Sequence, residues 1–396
     1  MSEILKHVFR ASSAYELVLF DRLPEGERQA LADLARDPDF YGVLRPRPVA
    51  GVAGSILKSA DRDTALLFLT LREPGPLPAY AAAQLGEAAP RVIARFVADG
   101  ILEVERDGAF VSGPAALDLF VRPAAGRERG GRIAALSLAA LRCAQALPSD
   151  DPRTVFLRLY SYNRVPLTPR WKSLLADTPA VERHLGIAPG GPHRKTLDRA
   201  WQSLADREGW ISWISRAVDG GNERPDGPTW KLYVSPRPES LFTEGTTEGA
   251  AAFGDILEAL TAARARQFKV GRDAGGLLRA DKIVSYFPSF ERLAEAADAV
   301  VARLAGTPAQ GVPFTSEIGG EGLLSWGMDP PRSERTWSLG ESWRAWLSMR
   351  LARDLLAARQ AAATGVEPWR FALDRLRLEG IDTETWTPGA LLWREG

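Results

Sequence analysis

The sequence predicts an α+β protein: a helical N-terminal region carrying a winged-helix-like unit, and a C-terminal mixed β-sheet flanked by helices. Three observations predict it. Between residues 63 and 112, apolar residues at helical period run into a hairpin signal. Beyond residue 229, short runs of strand character alternate with longer amphipathic segments. All 12 tryptophans lie at or after Trp171, whereas the first 170 residues are built from Ala, Leu, Val and Phe, so the chain holds at least two differently packed units. Its 396 residues suffice for two or three domains, each with a core of its own.

In the first unit, DTALLFLTLRE reads as an apolar helix or strand and LPAYAAAQLG as a short helix. APRVIARFVADG is an amphipathic helix with Val92, Ile93, Phe96 and Val97 on one face, ended by Gly100. ILEVERDGAFVSG is a pair of strands around the turn dipeptide Asp107–Gly108. Helices followed by such a hairpin make a winged-helix-like module, which sets a first domain at residues 1–121. RPAAGRERGGR, residues 122–132, reads as a linker. The middle region, 133–228, is helical and Trp-rich. It opens with an apolar helix near 133–147, continues through the Arg- and aromatic-bearing TVFLRLYSYNRVPLTPRWKSLL, and reaches a helix containing WQSLADREGWISWIS.

The loop AVDGGNERPDGP marks the boundary to an α+β domain at 229–396. There WKLYVSP, QFKVG, DKIVSYF and GLLSWGMD read as strands, and residues 247–265 as an Ala-rich helix. SFERLAEAADAVVARLAG places Phe290, Leu293, Ala297, Val300 and Leu304 on one helical stripe, with Gly306 as its stop. A long helix aligns Trp343, Trp346, Leu347, Leu351 and Leu355, and EPWRFALDRLRLEG closes the chain as a short helix.

A net charge of zero supplies no global basic field for nucleic acid or an anionic membrane. The third helix of the winged-helix-like unit offers only Arg91 and Arg95, and its hairpin carries Glu103 and Glu105, too thin a positive face for phosphate backbone. Nucleic acid is therefore not an expected partner. No run of about 18 apolar residues occurs, and MSEILKHVFRASS lacks a signal-peptide core. A cytoplasmic protein with no membrane partner is expected. The one cysteine, Cys143, lies in an apolar run and reads as a small buried hydrophobe. His7, His184 and His193 show no ligand spacing, so neither a metal nor another cofactor is expected.

The chemistry-bearing stretch is 268–331. Lys269, Arg272, Arg279, Lys282, Thr315 and Glu317 sit on or beside short apolar strands. Strand alternation puts Lys269 on one face of QFKVG, and Lys282, Val284 and Tyr286 on one face of DKIVSYF. If the two strands are neighbours, Lys269, Lys282 and Tyr286 converge, with Arg272 and Arg279 flanking the loop between them. The Gly275–Gly276 pair in that loop permits close backbone approach. Arginine forks and lysine point charges suit a phosphate dianion, and a lysine crowded by other cations can accept a proton. Together they suit β-elimination of phosphate from phosphoserine or phosphothreonine.

Phe268–Lys269, Arg279 with Asp281, Val284 with Tyr286–Phe287, Pro313–Phe314–Thr315, Gly322–Leu323 and Asp329–Pro330 follow one another in that order. This order of motifs resembles the HopA-type effector family and the related lyase subunits of class V lanthipeptide synthetases. The resemblance covers about residues 229–360. The chain departs from the pattern at SWGMDPP, where the acidic turn keeps only Asp329–Pro330 and Trp326 is inserted in the strand. The resemblance implies a lyase acting on a phosphorylated precursor peptide, with a separate kinase and cyclase as partners. It implies Lys269 as base, Arg279 and Lys282 on phosphate, and Tyr286 as hydrogen-bond donor. It further implies Thr315 orienting substrate, with Arg272 as a further phosphate contact; Glu317 joins the substrate-binding set. The alternative is a non-catalytic peptide- or protein-binding adaptor built on the winged-helix-like unit and the tryptophans.

Overall fold

The computed structural model describes residues 2–32, 34–47, 57–119, 131–204, 209–217, 229–242, 252–330, 342–360 and 365–389. The expected linker at 122–132 and the loop AVDGGNERPDGP lie, apart from residues 131, 132 and 217, outside them. Helices and antiparallel sheets share the chain, so the fold is α+β. Its contacts divide into two units. One comprises Met1–Arg127, Gln145–Pro152 and Arg350–Ile381; the other comprises Glu128–Ala144, Arg153–Met349 and Asp382–Gly396. Among the described residues, no helix is long and apolar enough to cross a membrane.

In the first unit, DTALLFLT is helix rather than strand, within Arg62–Thr70, started by the Asp61 carboxylate accepting the Thr64 N–H. Ala79–Leu85 and Ala89–Ala98 follow, the latter with Pro90 in its first turn. Ile93, Ala94 and Val97 are fully buried against Phe9, Leu102, Val104 and Phe371. Phe96 is only partly buried and Arg91 is buried, so the outward face of this helix is less basic than its sequence. The hairpin of Leu102–Arg106 with Ala109–Val111 turns at Asp107 (φ 52°) and Gly108 (φ 80°), the left-handed pair that matches strand twist. Val8–Ala11 adds on the other side of the hairpin, and a separate three-stranded sheet is made by Tyr15–Leu19, Phe40–Pro46 and Lys58–Asp61.

A buried ion cluster ties this unit together. Arg375, 7 % exposed, pairs with Asp99, lies 3.3 Å from Glu379 and 3.8 Å from Asp354. Arg350 reaches Glu379 at 2.8 Å and Lys58 reaches Asp99 at 3.2 Å. Burial opposes the charge on Asp99, but Arg375 and Lys58 outweigh it and hold that carboxyl below its ordinary range. Burial likewise opposes the charge on Glu379, where Arg350 and Arg375 prevail. Asp354 is the exception. Burial, with Glu379 and Asp99 adding, pushes it up to about 7 against Arg375, and its Oδ2 has no hydrogen-bond partner among the described residues.

For the second unit we label α1 (Arg132–Gln145), α2 (Pro152–Tyr160), β1 (Trp201–Ser203), β2 (Trp210–Ser215), β3 (Trp230–Val234), α3 (Ala252–Ala262), β4 (Gln267–Gly271), β5 (Ile283–Phe287), α4 (Phe290–Arg303), β6 (Ser316–Ile318), β7 (Leu324–Met328) and α5 (Trp343–Gln360). Of these, α1, α2 and α5 overrun the bounds of the unit at Gln145, Pro152 and residues 350–360. The strands form one sheet in the order β6-β7-β3-β5-β4-β2-β1. The expected mixed sheet is antiparallel at every pairing. The segment expected as a helix, WQSLADREGWISWIS, instead supplies β1 and β2. The reason is tertiary: Trp201 and Trp213 clasp Phe268 of β4, each at 4.7 Å between ring centroids, and that contact requires extended backbone at period two.

One face of the sheet is dry. Leu232, Val234, Phe268, Val270, Ile283, Phe287 and Leu324 pack on Phe253, Leu257 and Leu260 of α3 and on Leu293, Ala297 and Val300 of α4. At about 25 cal/mol per Å² this burial is the main stabilising term of the unit. Ser289 caps α4 by accepting the Arg292 N–H, and Gly306 (φ 78°) follows its end. Between β4 and β5 the chain doubles back so tightly that a Cβ on Gly271 would lie 2.3 Å from the Gly276 carbonyl carbon. That contact, rather than a left-handed turn, is why this loop needs its glycines.

Asp354 yields a stability prediction. Its folded carboxyl keeps the proton to about pH 7, while the unfolded chain releases it near 3.8. The folded state thus binds more protons within that window, and the stability of the first unit falls as pH rises through it. Urea unfolding followed from about pH 5 to about pH 8 is expected to show this decline. Asp354→Asn should flatten it and unfold at higher urea than the natural protein at the alkaline end. Superimposable profiles for the two proteins would contradict the assignment.

Candidate functional site

The opposite face of the sheet is polar, and register assembles it. Tyr286 lies between Lys231 and Gln267, Lys269 between Ser212 and Val284, and Trp210 beside Gly271. Lys231, Tyr233, Lys269, Val284 and Tyr286 therefore share this side. The Lys269 ammonium stands 4.1 Å from the centre of the Trp210 ring and 5.8 Å from that of Tyr286. From the other side Lys231 stands 5.6 Å from Tyr286 and pairs with Asp329. Aromatic faces attract such cations by about 0.5–2 kcal/mol, more as water is excluded.

A second layer anchors the first. Asp281, 5 % exposed, accepts both fork nitrogens of Arg279 at 2.8 Å, and Nη1 of Arg344 lies 2.7 Å from its Oδ2. Arg279 also donates to the Tyr160 hydroxyl at 3.0 Å, while Arg344 donates to the Tyr160 and Pro313 carbonyls at 2.8 and 3.1 Å. Burial works to raise the Asp281 carboxyl, but Arg344, Arg279 and, less strongly, Lys269 hold it far below the usual carboxylate range. Arg279 is likewise locked in its charged form: burial opposes it, Asp281 and Tyr160 more than compensate. Tyr233, buried beside this cluster, is pushed well above 10 by burial and stays a neutral phenol. Lys269, Arg279, Tyr160, Trp210 and Tyr286 keep partial exposure, whereas Asp281, Lys231, Arg344 and Tyr233 lie buried beneath them.

The structure brings together Lys269, Arg279 and Tyr286, and separates the other expected site residues. Lys282 is fully buried; its ammonium donates to the Pro236 carbonyl at 2.9 Å and to Gln310 Oε1 at 2.6 Å. It precedes the first residue of β5, so alternation no longer governs its direction. Thr315 is also fully buried, donating to the Val312 carbonyl at 2.6 Å with Ser325 Oγ at 2.8 Å. Glu317 accepts the Ile133 N–H at 3.1 Å and caps α1, where negative charge meets the helix dipole. Arg272 reaches the Thr178 hydroxyl at 3.2 Å. Cys143 is exposed on α1, not buried as expected.

The Pro313–Phe314–Thr315 motif has a structural use. Phe314 adopts φ 63° and gives its N–H to Ser137 at 2.8 Å, and Gln310 bridges Lys282 to the Asn163 carbonyl. The left-handed backbone at a bulky residue costs about 1–3 kcal/mol, which these bonds offset. Sequence reasoning missed Lys231, Trp210, Tyr160 and Arg344. Alternation in WKLYV could have placed Lys231 and Tyr233 on one face. Trp210 was hidden by the helical reading of its segment, and the remaining two come from distant helices whose approach no local pattern encodes.

No protein-family model matches the chain, and no curated protein matches its sequence. Among solved structures, the effector protein from Pseudomonas syringae pv. syringae strain 61 aligns at 12% identity and TM-score 0.35 over 66% of this chain and 98% of its own. The effector protein from Pseudomonas syringae pv. tomato strain DC3000 aligns at 12% and 0.35 over 64% of this chain and 97% of its own. A phosphothreonine lyase aligns at 10% and 0.26 over 48% and 88%. Likenesses this distant assign neither fold nor chemistry to the chain.

Two substitutions test the anchoring. Asp281→Asn leaves two guanidiniums, one of them buried, without their carboxylate and should cost about 3–5 kcal/mol in urea unfolding; a loss under about 1 kcal/mol would show that the pair is dispensable. Lys282 behaves oppositely to Asp354. Burial, against Asp281 and Glu239, brings its ammonium down to about 7, while the unfolded chain holds the proton to 10.5. The unfolded state binds more protons in that window, so stability rises with pH across it. In Lys282→Met that rise should vanish, and its persistence would place the responsible group elsewhere.

Proposed function

We propose that the polar face around Lys269 binds a phosphate monoester and eliminates phosphate from phosphoserine or phosphothreonine in a peptide. The observation that carries this reading is the placement of the Lys269 ammonium between Trp210 and Tyr286, beside Arg279 anchored by Asp281. The Lys269 nitrogen, having given up its proton, takes the α-proton, the released electron pair forms the Cα=Cβ bond, and the Cβ–O bond breaks with its pair leaving on phosphate. The Nη1 edge of Arg279, which the Asp281 fork leaves over, faces the growing negative charge, with the buried Lys231 adding its field from beneath. Tyr286 donates to the substrate carbonyl as the enolate develops. A precursor peptide of ribosomal natural-product biosynthesis, phosphorylated by a separate kinase and passed to a cyclase, is the substrate context this reading favours.

A second reading rests on one observation: Arg279 spends both fork nitrogens on Asp281. A fork already filled suits a face that holds an acidic peptide without chemistry, as an adaptor does. Phosphothreonine peptides incubated with the purified protein and followed by mass separate the two. The lyase reading expects loss of phosphoric acid, reduced on the order of 10²–10⁴-fold by Lys269→Ala as for removal of a general base, with circular dichroism unchanged. Saturable peptide binding with unaltered mass establishes the adaptor instead.

A further inference from the structure

A cavity of about 450 Å³ shares no lining residue with the polar sheet face; Arg170, Ser173, Leu174, Asp177, Arg183 and His184 line it. It is formed by the helices Pro169–Leu174 and Thr178–His184, which the proposed elimination leaves without a role. One lining residue is held from below: His184 sets its ring edge-on to the buried Phe242 at 5.6 Å, and Phe242 packs on the buried Trp171 at 6.0 Å between ring centroids. Both helices are pinned at their starts, where the Thr168 hydroxyl accepts the Trp171 N–H and the Asp177 carboxylate accepts the Ala180 N–H.

The charges lining this cavity are two guanidiniums against one carboxylate, Asp177. Some guanidiniums of the unit are matched to carboxylates, Arg194 to Asp198 and Arg292 to Glu295 among them, while Arg132, Arg164 and Arg216 bond backbone carbonyls. Neither Arg170 nor Arg183 has such a partner among the described residues, and Asp177 already spends one oxygen on its helix. Two guanidiniums and a hydroxyl around one hollow make a receptor for an oxyanion, which arginine holds through parallel hydrogen bonds. The volume falls within the range of organic-ligand sites, about 300–1,000 Å³, and far exceeds what a bare anion fills. Leu174 supplies an apolar wall for the remainder.

We propose that this cavity is a separate site for a small organic anion, its phosphate or carboxylate gripped by Arg170 and Arg183 and its apolar body resting on Leu174. This site is independent of the elimination chemistry. Calorimetric titration of the full chain with O-phosphothreonine, glutarate and inorganic phosphate tests it, in the natural protein, in Arg170→Gln/Arg183→Gln and in Lys269→Ala. The expected result is that O-phosphothreonine or glutarate binds and that the double variant weakens this at least about tenfold, since each tenfold step is the loss of one modest charge-assisted contact. Lys269→Ala should retain the binding of glutarate, which carries no phosphate ester for the Lys269 face. Silence from all three probes, equal binding by the double variant, or loss of glutarate binding in Lys269→Ala would each overturn the proposal. Inorganic phosphate binding as tightly as the organic anions would overturn the claim that the body of the ligand is recognised.

Discussion

Asp281 is a carboxylate that cannot reach water and therefore must be neutralised where it stands. An isolated charge in such surroundings is costly to bury, and one basic partner rarely repays the desolvation. Two converge on it: Arg279 from the loop entering β5, and Arg344 from the first turn of α5. Tyr160, at the end of α2, lies against both guanidinium planes, 5.3 Å and 4.8 Å from their central carbons, and gives its carbonyl to one of them. One buried negative charge thus fixes where two helix ends meet the sheet. The geometry of the whole polar face, including the field at Lys269, depends on that fixed point.

The two sides of the sheet serve different ends because the strand period is two. Apart from Ser285, residues facing α3 and α4 are aliphatic or aromatic and close-packed, whereas their neighbours along the strands include the amines of Lys231 and Lys269 and the phenols of Tyr233 and Tyr286. The unit can therefore hold a polar cluster rigid without giving up its core. Gly327 shows how closely the second side is filled: a Cβ there would meet the Trp343 ring at 3.0 Å, so the lack of a side chain is what admits the start of α5.

The legible part of this structure was whatever repeats locally. Helices α3, α4 and α5, strands β3, β4, β5 and β7, and the Asp107–Gly108 hairpin follow from period and turn chemistry. The convergence of Lys269 and Tyr286 followed from alternation, given that β4 and β5 are neighbours, which they are. The failures share one cause. Lys282, Thr315 and Glu317 have the right side chains, but each finds its hydrogen bond with a backbone group or polar side chain elsewhere in the unit. Nothing local distinguishes an amine kept by its own protein from one offered to a ligand. Trp201 and Trp213 misled for a related reason: their partner Phe268 lies far along the chain, and packing on it overrode the local pattern.

Among the described residues, the sheet ends at both margins in strands of only three residues, Ser316–Ile318 on one side and Trp201–Ser203 on the other. An exposed margin is a row of unsatisfied peptide groups, and its capacity to recruit a foreign strand grows with its length. Seven strands of hydrogen-bonding material thus terminate in margins too brief to template runaway stacking, so the breadth that builds the polar face does not bring a fibril-forming edge with it.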